Sequence, residues 1–242
     1  MIDPANPASH LLIAIKTPHA ITGFDEATWD LVIRQARRTK LLSRIAARAE
    51  DLDLTPALPP KAARVLQAAR YVAASNRRMI TWEINRVRHA VASTGAPIVL
   101  LKGAAYVAAD LPPARGRIAG DIDILVPAKR LSDVERALEE HGWGHIKLQE
   151  YDQRYYRRWM HELPPLRHAD RLTVIDVHHT ILPPTSRLTP DADRLWQSAR
   201  ALPGLGMFVL GPHDMVLHSV AHLFEDGDLN FAIRDLVDIA DL

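Results

Sequence analysis

Gly120-Asp121-Ile122-Asp123-Ile124-Leu125-Val126 sets two carboxylates among β-branched residues and then runs apolar. In an extended strand, residues two apart share a face. Asp121 and Asp123 therefore leave one side of the strand, while Ile122 and Ile124 enter a core behind them. Like charges about 4 Å apart at an effective dielectric near 20 repel by roughly 4 kcal/mol, so the pair asks for a cation. Magnesium fits, because it takes hard oxygen ligands and shares its other positions with water and phosphates. Alone, Asp-x-Asp also marks strand edges and turns, and the rest of the chain has to decide.

Upstream, Ile98-Val99-Leu100-Leu101 reads as a short buried strand running into Lys102-Gly103 and a helix over residues 104–110. Strand, glycine turn and helix make a plausible phosphate cradle, since glycine lets phosphate approach the backbone and a helix start offers unpaired amides; taken alone, Gly103 reads rather as relief of a tight strand-to-helix turn. Lys102 adds a positive charge there. A loop through Pro112, Pro113 and Gly116 returns to the Asp121–Asp123 strand. Downstream, residues 131–140 read as a helix stopped by Gly142. Residues 161–167 and 172–178 read as an antiparallel pair turning over Ala169-Asp170. Alternation puts Val174, Asp176 and His178 on one face, so a neighbouring strand can bring Asp176 beside Asp121 and Asp123. Three such carboxylates suit a two-metal site, one ion activating a hydroxyl and the other orienting a triphosphate.

Around this core the periodicity is helical. Trp29, Leu31, Ile33, Leu41, Leu42, Ile45 and Ala46 predict one helix broken at Pro56, Pro59 and Pro60. A second long helix is predicted over residues 61–94, with Gly95 as its left-handed stop. Residues from Pro212 onward read as helix again, and the periodic run ends without a capping signal, leaving open a longer chain or a fraying helix. The reading is α+β: a small mixed sheet with helices on it, preceded and followed by helical regions. The expected division is a helical region over 1–95, a core over 96–182 and a mostly helical region over 183–242.

Composition narrows the partners. The chain has 242 residues, 48% hydrophobic, 24% charged, with a formal net charge of +1, so no global field selects nucleic acid or an anionic membrane. Without cysteine there is no disulfide, thiolate zinc site or cysteine nucleophile. The apolar run Leu11-Leu12-Ile13-Ala14-Ile15 is too short to span a bilayer and lacks a basic leader. The expectation is a cytoplasmic protein without signal peptide or membrane span; its oligomeric state is not legible.

The order of motifs, Leu-Leu-Lys-Gly-Ala-Ala, then a proline loop with Arg115 and Arg117, then Gly-Asp-Ile-Asp-Ile-Leu-Val, then Ile-Asp-Val-His, resembles the bacterial nucleotidyltransferase-like family of the polymerase-β superfold. The resemblance covers residues 97–242 and, less distinctly, the helices before them. It implies the nucleotidyltransferase fold, Mg2+ and an NTP, ATP among the candidates. It also implies transfer of an NMP group to a hydroxyl acceptor, whether small molecule, protein or RNA. By position, Asp121, Asp123 and Asp176 match the metal-binding catalytic carboxylates. Gly103 matches the glycine of the phosphate turn, and Arg117 an arginine that often precedes the metal pair. Lys102 and Gly120 complete the nucleotide-binding set. One departure stands out: the superfamily usually has serine after the glycine, and here it is Ala104. A degenerate nucleotide-binding or protein-interaction module is the alternative.

Other residues read less sharply. His178 shares the face of Asp176, and either touches phosphate, orients a metal ligand or makes a structural contact. Asp214, His218 and His222 recur one helical turn apart, a spacing that can bind zinc but more commonly packs a helix. Tyr151, Arg154, Tyr155, Tyr156, Arg157, Arg158 and Trp159 interleave aromatic and basic groups suited to a base or an RNA backbone, or to a solvated basic face. Arg34, Arg37, Arg38 and Lys40 read as a solvated face.

Overall fold

A computed structural model describes residues 9–146, 159–225 and 232–242. The N-terminal layer holds α1 (Ser9–Lys16), α2 (Glu26–Arg38), α3 (Leu42–Asp51) and the long α4 (Pro60–Val91). Asp25 caps α2, its side chain accepting from the Thr28 amide at 2.8 Å. The single helix expected over residues 29–46 is two. Lys40 takes a left-handed φ of 57°, and the Leu41 amide reaches back to the Ala36 carbonyl at 2.8 Å. That is the helix stop glycine usually makes, with lysine in its place. Pro60 sits in the first turn of α4, where a missing N–H costs nothing. A 3-10 turn continues the helix to Gly95, which has the expected left-handed φ of 63°.

The sheet follows: β1 (Val99–Leu100), α5 (Lys102–Ala108), β2 (Asp121–Leu125), α6 (Leu131–Glu140), β3 (Trp143–His145), β4 (Leu166–His168) and β5 (Val174–His178). Then come α7 (Ala192–Ser198), β6 (Arg200–Leu202), β7 (Met207–Val209), α8 (Pro212–Glu225) and α9 (Ala232–Asp241). The strands form one seven-stranded mixed sheet in the order β3-β4-β5-β2-β1-β7-β6. β2 runs parallel to β5 and antiparallel to β1, and β4 pairs antiparallel with β5 as expected. The β6–β7 hairpin was not legible in a region that read as helical; it turns over Gly204 and Gly206, both left-handed. The α+β class holds.

Two apolar clusters meet along α4. Its first turns, with Ala62, Leu66 and Ala69, pack with Trp29, Val32 and Ile45. Its later turns, with Ile80, Ile84 and Val87, pack with Ile122, Ile124, Ile175 and Val177 from the sheet. Glu83, buried on α4, accepts from Arg171 Nε at 2.9 Å and Thr173 Oγ1 at 2.8 Å, tying the helix to the β4–β5 turn. The loop between α5 and β2 is pinned to the helical layer. Gly116, at φ 73°, lies against the Ser43 and Arg44 backbone, where a Cβ would collide. Asn76 exchanges hydrogen bonds with the Ala119 backbone at 2.9 and 3.0 Å. No helix among the described residues is long and apolar enough to cross a membrane.

Candidate functional site

Register brings the three aspartates together. On the parallel pair β2–β5, Asp123 lies opposite Asp176, with Asp121 opposite Val174. Strand alternation then turns all three carboxylates to one face, while Ile122, Ile124, Ile175 and Val177 fill the core on the other. They line a cavity of about 360 Å³ that also takes in Lys102, Arg117, Gly120 and His178.

Asp123, 1% exposed, is the most engaged of the three. Its Oδ1 accepts from Lys102 Nζ at 2.8 Å and lies 3.3 Å from His178 Nε2. Burial works to raise its pKa, but the Lys102 ammonium and His178 outweigh burial and hold the carboxyl well below its usual range. Lys102 follows the same logic: burial opposes its charge, and Asp123 more than restores it. Lys102, the first residue of α5, has a left-handed φ of 43°, a strained conformation where the chain leaves β1. Asp121 stands at the open strand end, its pKa raised by the charge of Asp123.

Asp176 is the outlier. Burial first, then the charges of Asp123, Glu162 and Asp121, push it up to about 8. Its Oδ1 is buried and has no hydrogen-bond partner. A carboxylate left so is costly unless a cation completes it. The donors around it are hard oxygens, so the set fits Mg2+.

Gly103 and Arg117 are arranged differently from a simple phosphate clamp. A Cβ on Gly103 would run into the Arg117 guanidinium and the Ala119 side chain, so the glycine makes room for the arginine. Arg117 donates through Nε to Asp238 Oδ2 at 2.6 Å and lies 5.5 Å above the Tyr106 ring, while still lining the cavity. Ala104 is fully buried, so the serine position carries no polar group.

Several cavity residues lay outside the sequence-derived set. His161 and Glu162 enter it beside β5, where Glu162 makes an isolated bridge to His178. The register slips by one residue between this bridge and the β4–β5 pair, across Pro164 and Pro165. His218 and His222 on α8 also line the cavity, with the His218 ring 6.4 Å from that of His178. Burial, then the neighbouring charge of His178, lowers His161 to about 3, so it stays a neutral imidazole. Lys40, read as part of a solvated face, lines the cavity as well. Of the basic–aromatic segment, residues 151–158 lie outside the described residues, and Trp159 is exposed.

Among known families, one described as an uncharacterised nucleotidyltransferase matches residues 25–242. No curated protein and no solved structure matches the chain.

Proposed function

Because the chain belongs to this family of uncharacterised nucleotidyltransferases, we propose that it moves an NMP group from an NTP to a hydroxyl acceptor, with Mg2+ held by Asp121, Asp123 and Asp176. The observation that carries this reading is the unpartnered, buried Oδ1 of Asp176, set opposite Asp123. Bound Mg2+ supplies charge neutralisation for the triphosphate and lowers the pKa of an attacking hydroxyl.

The side chains account for the rest. Asp176, besides completing the Mg2+ ligand set, would act as general base toward the acceptor hydroxyl. Lys102 brings an ammonium to the cavity against the polyphosphate, and Arg117 lends a second positive charge from the wall. Gly120 opens onto space free of neighbouring atoms, which lets a phosphate approach the backbone. His178 holds Asp123 in place as a positioning residue.

Pyrophosphate release from each NTP with Mg2+ tests this, with α-labelled NTP traced into RNA, protein and small-molecule fractions to find the acceptor. Asp123→Asn and Asp176→Asn are each expected to abolish release while circular dichroism stays native. Unchanged release in both variants sinks the assignment. A second reading, a nucleotide-binding module without turnover, is favoured by Ala104 and by the engagement of Arg117 with Asp238. Calorimetric NTP binding without pyrophosphate release would support that module over the enzyme.

A further inference from the structure

We propose a second cation site in the same cavity, built by His161, Glu162 and His178, that takes a borderline divalent ion of the zinc class. It does not depend on nucleotide chemistry. One ligand atom from each of the three residues lies within 4.8 Å of the others. His178 Nδ1 stands 3.3 Å from Glu162 Oε2, and His161 Nε2 stands 4.0 Å from the same oxygen. Bonds of about 2.0–2.1 Å in a tetrahedral zinc site separate neighbouring ligand atoms by about 3.4 Å. The Glu162 oxygen therefore already stands near ligand spacing from both histidines, and the stacked His161 and His178 rings, 5.2 Å apart at 29°, turn to converge on one ion.

The surroundings of His178 point the same way. Its ring lies between two carboxylates, with Nε2 3.3 Å from Asp123 Oδ1 and Nδ1 3.3 Å from Glu162 Oε2. His178 is 1% exposed, and Nδ1 has no hydrogen-bond partner. A cation between Nδ1 and Glu162 fills that contact. It also produces a familiar supporting arrangement, in which a metal-bound histidine donates its other N–H to a carboxylate, here Asp123.

The donors are preset by backbone. The Glu162–His178 bridge, the Leu163 amide on the Val177 carbonyl at 2.9 Å and the His179 amide on the His161 carbonyl at 2.9 Å fasten the two segments together. Two imidazole nitrogens and one carboxylate oxygen suit zinc, whereas the all-oxygen set of Asp121, Asp123 and Asp176 suits magnesium. Three protein ligands leave one coordination position, and all three residues line the cavity.

Cobalt(II) titration of the full chain in excess Mg2+, read by visible absorption, together with zinc calorimetry, tests the site without using activity. The expected result is one Co2+ or Zn2+ per chain with intense tetrahedral bands. Glu162→Gln and His161→Ala should each weaken binding at least about tenfold, with a native melt in EDTA as the folding control. Asp121→Asn, which removes an all-oxygen ligand only, should keep the zinc. Failure to bind either ion at one per chain overturns the proposal. So does binding that survives both His161→Ala and Glu162→Gln but is lost in Asp121→Asn, which would place zinc among the aspartates. Neither outcome bears on NTP turnover.

Discussion

Around Asp238 every buried charge has a partner, while around Asp176 the charges do not balance. Arg44 donates to Asp238, to Asp241 at 2.5 Å and to the Pro113 carbonyl at 2.8 Å, and Arg117 closes on Asp238 from the other side at 2.6 Å. Two guanidiniums meet two carboxylates, and together they clamp α9 to α3 and to the α5–β2 loop. At the strand ends, Asp121, Asp123 and Asp176 converge on the ammonium of Lys102, and Glu162 adds its charge to the field on Asp176. Balanced burial is what a fold needs. An acidic surplus held by rigid strands is destabilising by itself, and it is the arrangement expected where a cation and a charged substrate complete the site.

The largest effect should come from breaking the balanced cluster. Asp238→Asn leaves Arg44 and Arg117 buried against a neutral amide, and losing one partner of a buried ion pair typically costs about 3–5 kcal/mol. Urea denaturation followed by circular dichroism should show this loss with or without Mg2+. A loss under about 1 kcal/mol would mean the cluster is not the clamp described here.

The same kind of substitution in the unbalanced cluster should act in the opposite direction. Asp176 keeps its proton up to a pH of about 8 in the folded chain, whereas an ordinary aspartate ionises near 3.8. Between those values the folded state binds more protons than the unfolded state, so its stability falls as pH rises through the window. Asp176→Asn removes that penalty. At pH 8 in EDTA it is expected to raise stability by about 2 kcal/mol, on the order of 5 °C in Tm for a chain of this size. In the unsubstituted chain, Mg2+ binding near pH 7 should release a proton, detectable by calorimetry in two buffers of different ionisation enthalpy. Lower stability of Asp176→Asn at pH 8 in EDTA would show that the carboxylate serves the fold.

The contrast also explains how far the sequence could be read. Asp121, Asp123 and Asp176 were legible because strand alternation is local and period two fixes the face of each side chain. The helix over Leu131–Glu140 and the stop at Gly95 were legible for the same local reason. The orientation of Arg117 was not, because its partner Asp238 lies 121 residues away. Glu162 and His161 were obscured by Pro164 and Pro165, which shift the register between the bridge and the strand pair. The break between α2 and α3 carries no glycine, since Lys40 occupies the left-handed position. The β6–β7 strands are three residues each, too short for alternation to register.

A third cluster sharpens the comparison with the smallest effect. Glu135 and Glu139 on α6 meet His145 on β3, with ligand atoms as close together as those of His161, Glu162 and His178. Proximity of donors alone would rank the two groups equally. Their surroundings separate them: His145 Nε2 already sits 2.6 Å from Glu135 Oε1, and the Glu139 side chain is 50% exposed and 3.7 Å from the same nitrogen. Water solvates Glu139 well, so its contact with His145 is an exposed ion pair, a class worth about 0–1 kcal/mol. Glu139→Gln is therefore expected to change stability by less than about 0.5 kcal/mol and to leave the zinc stoichiometry untouched. Loss of a bound zinc in that variant would show that proximity of donors outweighs burial, and would remove the distinction between this surface group and the buried acidic cavity.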